Sequence, residues 1–132
     1  MNLPGRDERG ATSVIQLVLI APALLMMMMA IVQFGLLAHA RNVAEQAAQE
    51  GAASARRFDG TEASAKADAL KYLTLLGPQT LTDRDVVVNR GAQNATVTIT
   101  GKVLTLVPGL DLHVKESSTG PVERYVPPVV QP

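Results

Sequence analysis

From Val14 to Ala38 the chain places an apolar residue at 21 of 25 positions and no Asp, Glu, Lys or Arg at any. At about 1.5 Å per helical residue, such a run is long enough to cross the roughly 30 Å hydrocarbon layer of a bilayer. Helix is the solution that lets a single segment satisfy its own backbone there. Ala11–Thr12–Ser13 supplies hydroxyls suited to capping the first free amides. Pro22 removes one backbone donor, which predicts a kink near Gln16–Val18. Beyond the run, Ala40, Ala44, Ala47, Ala48, Gly51, Ala52 and Ala55 recur at spacings of three and four, with Arg41, Glu45, Gln46, Gln49 and Glu50 on the remainder. The helix is therefore expected to continue as an amphipathic one whose non-polar face is small. Two readings of that stripe stand: a face that admits a partner helix closely, or the high helix propensity of alanine. On the first, Gly51→Leu blocks assembly and leaves insertion and abundance normal.

Asp59–Gly60–Thr61–Glu62 breaks the helix and offers a new N-cap. Ala63, Ala67, Leu70, Leu73 and Leu76 then return at helical spacing until Gly77–Pro78, which predicts a second helix of about four turns. After Gly77 the period changes to two, in Asp85–Val88, Thr96–Thr100 and Leu110–Val114. Three short strands in an antiparallel meander packed on helix are the economical arrangement. The expected class is α+β. Its parts are a polar tail over 1–10, the spanning helix and its extension over 11–57, a small α+β domain over 58–119 and a Pro-rich tail over 120–132.

Composition narrows the function. Twelve basic residues balance twelve acidic ones, so no net field draws the chain towards nucleic acid. With no Cys, thiolate metal sites, Cys nucleophiles and disulfides are excluded. Four aromatics and no Trp argue against a base-stacking platform or a carbohydrate cleft, and no small-molecule substrate is expected. His39 closes the apolar run and His113 is expected to face solvent from a strand; neither has an acidic or hydroxyl partner in a local motif. Met26 to Met29 are packing or lipid-facing residues with no companion ligand. No enzyme, cofactor or metal site is therefore expected. Gln16 and Gln33 sit near opposite ends of the run, and an amide in lipid seeks a partner, so both are candidate interhelical contacts.

Retention of the apolar run as an anchor is the leading reading, because it is longer than a signal-peptide core. The alternative is a secreted small binding module released by signal peptidase after Ala40, at the small-x-small Ala38–His39–Ala40. For orientation, Arg6 and Arg9 precede the span and Arg41 follows it, with Arg56 and Arg57 at the limit of the counted window. That balance favours the N-terminus inside.

Arg9–Gly10–Ala11–Thr12–Ser13–Val14, the apolar span with Pro22, Gln33–Phe34–Gly35, Ala40–Arg41 and Ala47–Ala48–Gln49–Glu50–Gly51–Ala52 resemble the TadE-like proteins of the tight-adherence (Flp) pilus assembly system. Ser117 to Tyr125 is similar to the ending of the actinobacterial members. The resemblance implies a pilin-like fold and a single-pass minor pseudopilin of the cell membrane, its C-terminal domain outside the cytoplasm. The partners it implies are the bilayer, other pseudopilins, a secretion ATPase, inner-membrane platform proteins and the Flp pilin. It also implies a processing site at Gly10–Ala11. Prepilin-like members commonly carry Glu five residues after that glycine; here Ile15 stands there, followed by the neutral Gln16. An uncharged Gln16 cannot neutralise a neighbour's new amino terminus, so a low-copy accessory role is expected.

Overall fold

The computed structural model describes residues 8–128, with side chains from Ser13 onwards. Five elements follow in order: α1 (Glu8–Arg56), α2 (Glu62–Leu76), β1 (Leu81–Arg90), β2 (Asn94–Val103) and β3 (His113–Pro121). The class is α+β, a long apolar N-terminal helix followed by a short helix and a three-stranded sheet of order β1-β2-β3, antiparallel throughout.

α1 is one helix of 49 residues that is helical on both sides of Pro22. Its N-terminal half carries only exposed large apolar side chains, Val14 to Val32 among them. Its C-terminal third is the reverse. Ala40, Val43, Ala44, Ala47, Ala48, Ala52 and Ala55 are buried, and with Gly51 they form the face on which α2 and the sheet pack. The stripe admits a helix closely, as one of its two readings has it, and the helix that covers it is α2 of the same chain. Gly51 shows why small residues stand here. A Cβ at that position would lie 3.0 Å from Ala69 Cβ, 3.2 Å from the Ala65 carbonyl oxygen and 3.2 Å from Val97 Cγ1. An alanine brings one methyl to a core, whereas burying Leu73, Leu81 or Ile99 contributes about 1.5–3 kcal/mol each. The stripe supplies close approach, and α2 and the sheet supply the bulk.

Thr61 caps α2 in a reciprocal box: its Oγ1 accepts from the Ser64 amide at 3.0 Å, and the Thr61 amide donates to Ser64 Oγ at 3.1 Å. The buried face of α2 is Ala65, Ala69 and Leu73, rotated from the expected one. Ala63 and Ala67 are exposed, and Leu70 and Leu76 are more exposed than buried-core residues. The reason is α1: at Gly51 it approaches α2 so closely that alanines, Ala65 and Ala69, stand opposite, and Leu73 follows one turn on in the same i, i+4 row.

β1 begins at Leu81, four residues before the expected Asp85. Between Thr82 and Asp85 the register with β2 shifts, and Asp83 lies there with φ 47°. The extra residue is a β-bulge, which reverses parity so that Leu81 and Val86 both face the core despite an odd separation. β2 alternates strictly, with Ala95, Val97, Ile99, Gly101 and Val103 inward. The third strand corrects the sequence reading most. It runs from His113 to Pro121, not from Leu110 to Val114, so only His113 and Val114 are shared and the strand extends into the expected tail. Its Ser and Thr residues pair across the open face, Thr96 with Thr119 at 2.9 Å and Thr98 with Ser117 at 3.2 Å. Those cross-strand hydroxyl pairs hold a strand that has no apolar alternation to announce it.

The C-terminal end of α1 is closed by the sheet. Arg90 Nε donates to the Ala55 carbonyl at 2.8 Å, Arg90 Nη2 to that of Arg57 at 3.2 Å, and the Glu123 amide to that of Arg56 at 2.8 Å. These donors satisfy carbonyls that a helix end leaves free.

Gly51→Leu is therefore expected to destabilise the fold itself, by about 1–3 kcal/mol or more as an overpacked core position. Pulse proteolysis of the membrane-reconstituted chain should show faster cleavage and a lower yield, where a stripe facing a partner protein predicts normal abundance. A Gly51→Leu chain as resistant as the parent would contradict this packing.

Candidate functional site

Among the described residues, one helix is long and apolar enough to cross a membrane, and none of its most hydrophobic stretch is covered by the rest of the chain. Gln16 is exposed within that stretch. Gly10 and Ala11, the expected processing site, lie in the backbone of α1, outside the residues with described side chains. His39 and His113 are both exposed. Among the described residues, no three His, Asp or Glu lie close enough to hold a metal.

Gln33 behaves differently from Gln16. It is 4 % exposed, the one buried polar residue in the apolar run. Its Oε1 accepts from the Leu106 amide at 2.7 Å, and its Nε2 donates to the Leu104 carbonyl at 3.2 Å. Both ends of the amide are used, which offsets much of the cost of burying it. Its partner is the loop between β2 and β3, where the sequence suggested a neighbouring helix.

That loop, residues 104–112, does not stand out in the sequence because Leu110 and Leu112 extend the alternation of Val114 in β3. The available signal was the uncharged run Leu104–Thr105–Leu106–Val107–Pro108–Gly109–Leu110, too short for a span and too apolar for an ordinary surface turn. At its tip the Leu110 amide donates to the Val107 carbonyl at 3.2 Å, and Gly109 has φ 82°. Pro before a positive-φ glycine is the pattern of a type II turn. Val107, Leu110 and Leu112 line a crevice of ≈ 180 Å³ against Ala30, Gln33, Phe34 and Leu37 of α1. Farther along the helix, Val107 and Pro108 close a second one with Met26, Met29 and Ala30. The loop thus lies along α1 and points back towards its N-terminal half.

At the neck of the loop, Lys102 Nζ and Asp111 Oδ1 form an ion pair at 2.8 Å. The Lys102 hydrogen bond holds the Asp111 carboxyl below its usual value, and the same bond, with the Asp111 charge, raises Lys102. What the pair contributes is present above the ordinary carboxylate range and below the ordinary ammonium range. It is lost as pH falls through the lowered Asp111 value or rises through the raised Lys102 value. Both groups are open to solvent, so the pair orients the neck more than it stabilises it.

Gln33→Leu removes both loop contacts and leaves a donor and an acceptor unpaired, a loss of about 1–3 kcal/mol. The expected result is amide hydrogen exchange at Leu106 accelerated on the order of tenfold to a hundredfold, with exchange at Val97 and Ile99 little changed. Unaltered exchange at Leu106 would show that Gln33 does not hold the loop.

No curated protein and no solved structure matches the chain. A family model described as TadE-like protein matches residues 10–53. The matched segment ends before α2, so the resemblance seen at Ser117 to Tyr125 lies outside it. Over residues 10–53, which comprise the whole apolar length of α1 and all of its small-residue stripe but Ala55, the chain is similar to the TadE-like family.

Proposed function

We propose that this chain is a single-span membrane minor pseudopilin that takes part in assembling a Tad/Flp-type pilus or a related secretion apparatus. The observation that carries the reading is the division of α1. One continuous helix, TadE-like over residues 10–53, exposes an apolar length suited to lipid and then buries a small-residue face under a folded domain. An anchor built this way holds the domain at the membrane surface, where assembly proteins and the Flp pilin meet it. No catalytic step is assigned to it. The secreted alternative, with cleavage after Ala40, is disfavoured by the same helix. Ala40 is 0 % exposed within unbroken helix, and cleavage there would remove Gln33 and Leu37 from the loop they pack on.

The neutral Gln16 supports an accessory place in the apparatus, not a repeated place in a filament, since an amide cannot offset a buried ammonium. The arginine balance supports an N-terminus inside and the folded domain outside the cytoplasm.

Two measurements test the proposal. A reporter enzyme active only outside the cytoplasm, fused after the folded domain, should be active; activity only of a cytoplasmic reporter at that position would overturn the orientation. In filaments sheared from cells and purified, the chain should be far below the major pilin in amount, and equal stoichiometry would overturn the accessory role.

A further inference from the structure

We infer that the loop between β2 and β3, residues 104–112, inserts into the bilayer beside α1, so that the folded domain meets lipid acyl chains through a second element. The inference rests on the proposed reading of α1 as a membrane span.

Position is the first argument. About twenty helical residues cross the hydrocarbon layer, and the interval free of Asp, Glu, Lys and Arg runs from residue 10 to residue 40. However a twenty-residue window is set within that interval, it contains residues 21–29, and therefore Met26 and Met29. Val107 and Pro108 at the tip of the loop pack at the level of those two methionines. In the placement farthest from the domain the tip sits within about one helical turn of the hydrocarbon boundary, and in the nearest it is about 20 Å deep. In the farthest placement it reaches the hydrocarbon boundary, and in the nearer ones it lies among the acyl chains.

Chemistry agrees with position. From Leu104 to Leu110 the loop has no charge, and Leu104, Leu106 and Leu110 are 47 %, 43 % and 39 % exposed. Leu110 shares a crevice with Phe34, and Val107 and Pro108 share one with Met26; Phe34 and Met26 are 70 % and 72 % exposed on α1. Such a cluster is out of place in water, and a bilayer covers both parts of it at once. Asp111, the charged residue within the loop, is paired at its neck with Lys102 of β2, where a long lysine stem suits the headgroup level.

The backbone is the third argument, because irregular chain is tolerated at membrane depth only where its polar groups find partners in protein. The Leu106 amide and the Leu104 carbonyl are taken by Gln33, the Leu104 amide donates to the Thr80 carbonyl, and the Leu110 amide closes the tip turn onto Val107. Gln33 is thereby explained as a buried polar residue: it supplies what water supplies to a loop in solution. A helix alone leaves a domain free to rotate about the helix axis. A second inserted element fixes which face of the sheet looks along the membrane and which looks away.

The chain has no native cysteine, so single cysteines report position directly. The full chain is reconstituted in phosphatidylcholine vesicles with an environment-sensitive fluorophore at Leu106→Cys or Pro108→Cys in the loop, Val18→Cys in α1, or Lys115→Cys on β3. Quenching is then read with nitroxides carried on lipid acyl chains and with a water-soluble quencher. The expected result is lipid-borne quenching at Leu106→Cys, Pro108→Cys and Val18→Cys, and aqueous quenching alone at Lys115→Cys. If Val18→Cys is quenched from lipid while both loop labels behave like Lys115→Cys, the inference is overturned and the membrane span stands. If Val18→Cys is not quenched from lipid either, the span reading falls and the inference with it. Two loop positions are used so that misfolding of one variant leaves the other to decide.

Discussion

The close packing of the alanine and glycine face of α1 against α2 and β2 is the constraint on which the other features depend. A helix that must be apolar all round at its lipid end cannot also present bulky side chains to a small domain without separating the layers that form the core. Small residues at Ala44, Ala47, Ala48 and Gly51 resolve this, since the bulk is supplied from the other side by Leu73, Val97 and Ile99. Once that contact is made, the C-terminal end of α1 is close enough for Arg90 and the Glu123 amide to satisfy its last carbonyls. The sheet is then positioned so that the β2–β3 loop reaches back along the helix to Gln33.

Gln33 connects the two halves of the molecule. On the lipid side of the stripe it is the residue where the folded domain still grips the anchor, and it does so through hydrogen bonds, which keep their direction where apolar contacts do not. A glutamine at that place within an apolar run costs little because both ends of its amide are paired. The same group left unpaired would be among the costlier features of the chain.

Much of this was legible in the sequence, for physical reasons that differ by element. The span, the stripe and the second helix follow from spacing, since periods of three and four are dictated by helix geometry whatever packs on them. The α+β class followed from the change to a period of two after Gly77. What spacing could not say was which surface covers a stripe, so a face matched to α2 of the same chain read equally as a face for a partner. The third strand is displaced from its expected place because Leu110 and Leu112 continue the alternation of Val114 ahead of the strand, while Ser117 and Thr119 hold its later part through cross-strand pairing. The β1 start was hidden by the bulge at Asp83, which breaks the alternation on which a strand is recognised. Gln33 was recognised as a polar residue in need of a partner, but its partner lies 71 and 73 positions away in the chain, beyond the reach of any local pattern.

If the stripe makes the end of α1 part of the domain's own core, anchor and domain are one cooperative unit from Ala40 onwards. Native-state hydrogen exchange on the reconstituted chain, followed across increasing denaturant, addresses this directly. Amides of Ala44 to Ala55 in α1 and of Val97 and Ile99 in β2 should approach a common opening free energy and lose protection together. Sheet amides that exchange fully while those of Ala44 to Ala55 stay protected would contradict it, because the domain would then be docked on a helix that stands without it.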